Sequence, residues 1–124
     1  MEDIFQMENN SIKVYLDDER PCPEGWVLVK TADEAIEKLK TCWVTHISLD
    51  HDLALMHYAG HYETGEKTGY DVLLWLEEQL DNYPYFQVPI IMIHTMNPSA
   101  MVKMKQAARK IIARSREFRL SMDE

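Results

Sequence analysis

The stretch His46-Ile47-Ser48-Leu49-Asp50-His51-Asp52 runs from apolar, strand-forming residues straight into two carboxylates separated by an imidazole. Two other short apolar runs end in a similar way, since Ile12–Leu16 precedes Asp17-Asp18-Glu19 and Pro89–Ile93 precedes His94-Thr95-Met96-Asn97. Apolar strands with polar residues at their carboxyl ends are typical of a parallel sheet whose functional edge lies on one side. If the three strands are neighbours, the polar residues that follow them meet in one crevice: Asp17, Asp18, Asp50, Asp52 and His94.

The remaining segments predict three helices and a fourth strand, Trp26–Val29. The first helix follows Thr31, with Glu34 completing a capping box. The second covers Gly69–Leu80, and the third begins at Pro98 behind the cap Asn97. Their apolar residues recur at helical spacing: Ala32, Ala35, Ile36, Leu39 and Trp43; then Val72, Leu73, Leu76 and Leu80; then Met101, Met104, Ala108 and Ile111.

The resulting order, β-β-α-β-α-β-α, predicts a three-layer α/β domain with a mainly parallel sheet. One connection is unusual, because residues 17–25 are few for a crossover between parallel strands. Either this loop is stretched or the second strand is a marginal edge of the sheet. No clear fifth strand follows the last helix.

Length and composition predict one domain over residues 1–124, with its core between about 12 and 113. No apolar run reaches the length of a membrane span, and the acidic start lacks the features of a secretory signal. Cys22 and Cys42 fit neither a metal spacing nor a disulfide framework. We therefore expect reduced thiols, a cytoplasmic location and no membrane partner.

Charge is distributed unevenly along the chain. Residues 1–102 carry 18 acidic and 6 basic side chains, whereas residues 103–119 carry seven basic and one acidic. This pattern indicates either an anionic partner near the last helix or a solvated basic face that offsets an acidic body. A net charge of −8 argues against strong binding of duplex DNA.

The three carboxylates Asp17, Asp18 and Asp50 predict a divalent metal site. Clustered carboxylates repel one another unless a cation joins them, and hard oxygen ligands favour Mg²⁺ or Mn²⁺. His94 lies just before a helix amino end, where unpaired N–H groups favour an anion, and its imidazole can move a proton near neutral pH. Single aspartates as loop caps and His94 as a structural residue are the competing interpretations.

Several further residues are candidates for the same site. Thr95 and Asn97 are expected to donate hydrogen bonds to phosphate, Arg20 to neutralise a phosphate oxygen or an acid, and His51 to act as a ligand, a base or a loop cap. His57 and His61 have the spacing of a helical zinc pair, but no third ligand is evident. Residues 54–67 are expected to form a lid or to be disordered. Tyr58, Tyr62 and Tyr70 are candidates for stacking on a base.

These residues resemble a receiver domain, the phospho-acceptor module of two-component signalling. Asp17-Asp18 matches its acidic pair, Leu49-Asp50 its acceptor aspartate and Pro89–Ile93 its fourth strand. His94 stands where a receiver carries Ser or Thr, and the fifth strand with its lysine is missing. The chain is more closely similar to the cyclic-phosphate-processing receiver-like family, in segments spanning about residues 13 to 104: Leu16–Pro21, Pro23–Trp26, Ser48–Leu53, Gly69–Val72 and Ile93–Pro98.

This resemblance implies a receiver-like, flavodoxin-like fold with a four-stranded sheet ordered 2-1-3-4. It also implies an activity on cyclic or terminal phosphates of nucleotides or RNA, such as RNA processing. The matching positions are Asp17, Asp18, Asp50, Asp52, Asp71 and His94, although Asp71 also fits an ordinary first-turn carboxylate. The leading hypothesis is a metal-dependent phosphoesterase with Asp50, His94, Asp52 and His51 as catalytic residues. The alternatives are a receiver phosphorylated on Asp50 and a module that binds a nucleotide without turning it over.

Overall fold

The structure, a computed structural model, describes residues 11–51 and 68–123, with the side chains of the last helix described as far as Arg116. Within these ranges the chain forms four strands and three helices in the predicted order. The strands are β1 (Ile12–Leu16), β2 (Val27–Val29), β3 (Val44–Leu49) and β4 (Ile90–Ile93). The helices are α1 (Ala32–Thr41), α2 (Gly69–Asn82) and α3 (Pro98–Asp123).

The sheet is entirely parallel and has the order β2-β1-β3-β4, as the family resemblance implied. Residues 17–26 connect β1 to its parallel neighbour β2 without a helix. Gly25 turns this loop with a φ of 86°, and the loop begins where the Asp17 N–H donates to the Val29 carbonyl at 3.0 Å. The second strand is thus a three-residue edge, one of the two arrangements that the sequence left open.

Strand register divides the sheet into two faces. The core face carries Val14, Val27, Ile47 and Ile91 in one paired row and Leu16, Val29, Leu49 and Ile93 in the next. Val14, Ile47 and Ile91 from the first row and all four residues of the second join the apolar side chains of all three helices in one hydrophobic core. The opposite face, which we call the open face, carries the alternate strand residues: Lys13, Tyr15, Leu28, His46, Ser48, Ile90 and Met92.

The described helices therefore form a layer on the core face alone, which differs from the predicted three layers. The reason lies in the connections. The loop between β1 and β2 contains no helix, and within the described residues no fifth strand or further helix follows α3. A right-handed helical crossover from β1 to β2 would run along the sheet in the opposite direction to the later crossovers, and would therefore place its helix on the open face. No described helix has the length and apolar character required to cross a membrane.

Local signals set the helix ends. Thr31 caps α1 by accepting from the Glu34 N–H, but the Glu34 carboxylate accepts from Lys30 rather than from Thr31, so the predicted capping box is only half formed. Trp43 lies beyond the end of α1 and is 46% exposed, so its assignment to the apolar face of that helix was wrong. Asn97 caps α3 as predicted, accepting from the Ala100 N–H at 3.1 Å.

Candidate functional site

Three of the predicted residues converge at the carboxyl edge of the sheet. Asp17, Asp50 and His94 follow the neighbouring strands β1, β3 and β4, and each offers one ligand atom within 4.8 Å of the others. Backbone hydrogen bonds fix this edge, because the Asp50 N–H donates to the Leu16 carbonyl and the His94 N–H to the Leu49 carbonyl. The ladder of the parallel sheet thus continues one residue beyond each strand and aligns the three side chains.

Asp17 is the most constrained member of this group. Its side chain is 1% exposed. One carboxylate oxygen, Oδ1, accepts hydrogen bonds from the backbone N–H groups of Glu19 and Arg20 at 2.9 and 3.0 Å. The other, Oδ2, lies 3.2 Å from His94 Nε2. These contacts hold Asp17 as a fixed buried acceptor that points one oxygen into the site.

The His94 ring contacts three side chains: Ser48, Tyr15 and Asp17. Its Nδ1 lies 2.7 Å from Ser48 Oγ, and its ring stacks on Tyr15 with centroids 4.2 Å apart and planes within 6° of parallel. Burial lowers the pKa of His94, an effect that the neighbouring Asp17 opposes. The imidazole is therefore neutral at pH 7, with one nitrogen carrying hydrogen and the other presenting a lone pair. The Ser48 hydroxyl can donate or accept, so it is compatible with either tautomer.

The surroundings of Asp50 raise its pKa, whereas those of His94 lower the pKa of the imidazole. Burial and the nearby Asp17 carboxylate raise the pKa of Asp50 from 3.8 to about 6, although hydrogen bonds from the Thr95 hydroxyl and the His51 N–H and the charge of Arg20 act to lower it. The Asp17 and Asp50 carboxylates, whose ligand atoms lie within 4.8 Å of each other, repel when both are ionised. The site thus contains unfavourable negative charge that a bound cation would relieve.

Gly69 allows α2 to approach this site. A Cβ atom at this position would lie 2.1 Å from the Asp50 carbonyl oxygen and 3.1 Å from Met104 Cε. No side chain fits that space, so the amino end of α2 can pack against the backbone of Asp50 only because residue 69 is glycine.

Three other predicted site residues lie near this group: Asp18, Thr95 and Arg20. Asp18 is half-buried and lies outside the group of three ligand atoms. Thr95 is buried, bonds Asp50, and accepts from the Asn97 N–H at 3.2 Å. Arg20 is exposed on the loop beside Asp17, where its charge acts on both Asp50 and His94.

Two other predicted site residues, Asp71 and Asn97, cap the amino ends of helices. Asp71 accepts from the Thr68 N–H at 2.7 Å in a capping box at the start of α2, and Asn97 caps α3. Their expected contacts with substrate stay predictions. Asp52, His57, His61, Tyr58 and Tyr62 lie outside the described residues.

The sequence profile of the cyclic-phosphate processing receiver domain matches residues 12–110. The chain belongs to this family. The match spans all four strands and both the Asp17 and His94 ends of the site, in agreement with the resemblance found from the motifs. Searches of the curated proteins and of the solved structures found no significant match.

In this cyclic-phosphate processing receiver domain, three residues that shape the site were not among the predicted site residues. Ser48 orients His94, Tyr15 stacks on it, and Gly69 admits α2. Strand alternation contained a usable signal for two of them, because Tyr15 and Ser48 stand two positions before Asp17 and Asp50 and so share a face with them. Gly69 was part of a quoted motif, but its close contact with Asp50 depends on helix placement that the sequence does not specify.

Proposed function

We propose that this protein is a metal-dependent phosphoesterase that acts on cyclic or terminal phosphates of nucleotides or RNA. The observation that carries the proposal is the convergence of Asp17, Asp50 and His94, whose ligand atoms lie within 4.8 Å of one another. The family to which the chain belongs is described as cyclic-phosphate processing, which supports the substrate class.

The donor set fits a small divalent cation. Two carboxylates favour Mg²⁺ or Mn²⁺, and an imidazole is a better ligand for transition metals than for Mg²⁺. We therefore propose Mn²⁺ ahead of Mg²⁺, held by Asp17, Asp50 and His94, with Asp18 as a further ligand predicted from the sequence. The raised pKa of Asp50, caused by burial and by Asp17, supports a cation because a cation removes that repulsion. When bound, such an ion polarises a phosphate and lowers the pKa of a coordinated water.

The protein's own groups complete the proposed chemistry. Neutral His94, with Nδ1 held at 2.7 Å from Ser48, keeps its Nε2 directed at the Asp17 side of the site. This arrangement suits His94 as a metal ligand or as a group that orients phosphate. It suits a proton donor less well, because the lowered pKa of His94 means that the imidazolium form is scarce at pH 7. The Arg20 guanidinium, whose charge reaches Asp50 and His94, is available to pair with a phosphate oxygen.

The test is hydrolysis of 2′,3′- and 3′,5′-cyclic nucleotides and of RNA ending in a cyclic or terminal phosphate, with Mn²⁺, Mg²⁺ or EDTA. We expect turnover that requires metal and that falls by about 100-fold or more in Asp50→Asn and in His94→Ala. Glu78→Gln, an exposed charge removal on α2, is the matched control and should retain activity. Intact turnover in both site variants would refute the assignment. Recovery of bound, unaltered nucleotide would instead identify a binding module.

One contact favours a second candidate, a receiver phosphorylated on Asp50. The Thr95 hydroxyl bonds Asp50, and receivers carry Ser or Thr near their acceptor aspartate. Incubation with acetyl phosphate and Mg²⁺, followed by mass spectrometry, tests it directly. A phosphoryl group that maps to Asp50 and is absent from Asp50→Asn would support this candidate over the phosphoesterase.

A further inference from the structure

The open face of the sheet carries a cluster of aromatic rings. Trp26 crosses this face from the loop before β2, with its ring in edge contact with Tyr15 at 6.1 Å and with His46 at 6.2 Å between centroids. The ammonium group of Lys13 lies 5.8 Å from the centre of the Trp26 ring. We call Lys13, Tyr15, Trp26 and His46 the aromatic platform.

The surroundings of the platform are apolar and free of strand carboxylates. Parallel register extends it through Leu28 on one side and through Ile90 and Met92 on the other, and these side chains are 37%, 59% and 46% exposed. Lys13 is exposed, and among the described strand positions of this face none is acidic. The surface therefore offers three half-buried aromatic rings and an exposed cation, and it lies on a protein whose net charge is −8.

The platform is continuous with the candidate site. Tyr15 belongs to the platform, and its ring stacks on His94, whose Nε2 lies 3.2 Å from Asp17. A ligand with its phosphate beside Asp17, Asp50 and His94 would have its neighbouring groups over the open face. Flat rings joined to phosphates are the chemistry of a nucleic-acid strand, and aromatic side chains on the face of a sheet are a common surface for stacking unpaired bases.

We propose that the aromatic platform binds the unpaired bases of a single-stranded RNA whose terminal phosphate occupies the Asp17–Asp50–His94 site. This inference rests on the proposed function and narrows its substrate to an RNA end rather than a free mononucleotide. A second copy of the chain fits the platform less well. In a twofold interface, Lys13 would face the same surface of the second copy, whose strand positions carry no acidic residue. The phosphates of an RNA strand, in contrast, carry negative charge that complements Lys13.

The experiment measures fluorescence anisotropy of a labelled five-nucleotide RNA ending in a 3′-methylenephosphonate, whose P–C bond cannot be hydrolysed. Mn²⁺ is present, so that a cation offsets the Asp17 and Asp50 carboxylates and no turnover is required. Trp26→Ala should weaken binding roughly tenfold, because stacking on an aromatic side chain contributes strongly to binding of each base. Trp26→Phe keeps a ring and should restore most of the affinity. Trp43→Ala is the matched control, since Trp43 is 46% exposed and lies at the opposite end of β3 from the site. Its affinity should stay within about twofold of wild type.

A second ligand separates base stacking from phosphate binding. An abasic strand of the same length should bind wild type roughly tenfold more weakly than the RNA, and the Trp26→Ala change should not weaken it further. Equal affinity for the two strands, unchanged RNA affinity in Trp26→Ala, or no RNA binding by wild type would each overturn the proposal. So would a dimer that Trp26→Ala dissociates, because the platform would then be covered by a second copy. Mononucleotide hydrolysis by wild type tests the proposed function separately.

Discussion

Asp50 lies where its ionised form destabilises the folded protein. Its pKa is raised to about 6 by burial and by Asp17, so the folded, metal-free protein binds its proton more tightly than the unfolded chain does. Ionisation of Asp50 therefore costs stability, and its contribution to stability is lost as pH rises from about 4 to about 6. Relief of this repulsion by a cation would reverse the loss.

Asp50→Asn tests this account through thermal melting. In EDTA at pH 7.5 the variant should melt about 2–5 °C above wild type, because the repulsion with Asp17 is gone. Between pH 4 and pH 7 its melting temperature should fall less steeply than that of wild type. Mn²⁺ should stabilise wild type and leave Asp50→Asn nearly unchanged. Glu78→Gln is the control for loss of one charge, and an Asp50→Asn protein that melts below wild type in EDTA would contradict the prediction.

Ser48 should matter because of what it does to His94. Its hydroxyl is 4% exposed and bonds His94 Nδ1 at 2.7 Å. Ser48→Ala should lower the free energy of unfolding by about 1 kcal/mol. Loss of a partner that orients His94, a proposed metal ligand, should weaken Mn²⁺ binding roughly tenfold. Urea unfolding and isothermal titration measure the two effects.

Ser48→Thr keeps the hydroxyl and should retain the affinity for Mn²⁺, whereas Ser99→Ala removes an exposed hydroxyl at the start of α3 and serves as the control. If Ser48→Ala binds Mn²⁺ as tightly as wild type, stacking on Tyr15 is enough to orient His94.

Individual site residues could be predicted only where strand ends specify them. Asp17, Asp50 and His94 each follow an apolar run directly, so the parallel register brings them together. Asp18 shows the limit, because neighbouring residues leave a strand on opposite sides and the group of three formed without it. Asp71 and Asn97 have side chains that suit both capping and ligand binding, and the sequence alone does not separate the two uses.

At the scale of secondary-structure elements, the packing of α2 on the site depends on Gly69. Gly69→Ala would place a Cβ atom 2.1 Å from the Asp50 carbonyl oxygen. Because backbone atoms cannot move aside as flexible side chains do, the amino end of α2 or Asp50 itself must shift. We expect a loss of about 1–3 kcal/mol of unfolding free energy, together with weaker Mn²⁺ binding in isothermal titration.

Gly25→Ala is a useful control for this prediction. Its φ of 86° is unfavourable for alanine, but nothing lies within 4 Å of the added Cβ, so the expected cost is about 1–2 kcal/mol of backbone strain. The two variants should therefore lose similar stability but differ in metal affinity, which only Gly69→Ala should reduce. Equal Mn²⁺ affinity in both would show that the contact between α2 and Asp50 does not set the site geometry.

Element boundaries were predictable where capping and periodicity agreed. The strand Ile12–Leu16 and the start of α3 match the expected limits, and β4 lies within the predicted run Pro89–Ile93. Trp43 was misassigned because its spacing continues the apolar stripe of α1, although the Cys42 backbone is already extended. The half-formed capping box at Thr31 has a similar cause, since the pattern of Thr31 and Glu34 does not specify which N–H the Glu34 carboxylate accepts from.

At the scale of the whole molecule, the order of strands and helices predicted the sheet but not which faces the helices cover. Alternation of helices and strands is usually accompanied by helices on both sides of a parallel sheet. Here the connection between β1 and β2 is too short to hold a helix, so all three described helices pack on the core face. The short loop is visible in the sequence, and it implies that no helix between β1 and β2 covers the open face.

The uneven charge of the chain is a second property of the whole molecule, and the structure pairs part of it across two helices. On α3, Lys110 lies 3.7 Å and Arg114 3.9 Å from the Glu77 carboxylate, and Arg114 also bonds Asp81. These contacts support the view that this part of the basic helix offsets acids of α2. Exposed ion pairs of this kind contribute about 0–1 kcal/mol each.

The double variant Asp81→Arg/Arg114→Asp exchanges the paired charges without altering the net charge. If these residues serve the packing of α2 and α3, the exchange should keep the free energy of unfolding within about 1 kcal/mol of wild type. Affinity for the five-nucleotide RNA should stay within about twofold at 0.15 M salt, where distant charges are screened. Arg114→Asp alone is the matched control and should be less stable, because the introduced carboxylate would face Asp81 and Glu77. A large loss of RNA affinity in the exchanged pair would show instead that the basic side of α3 binds RNA directly.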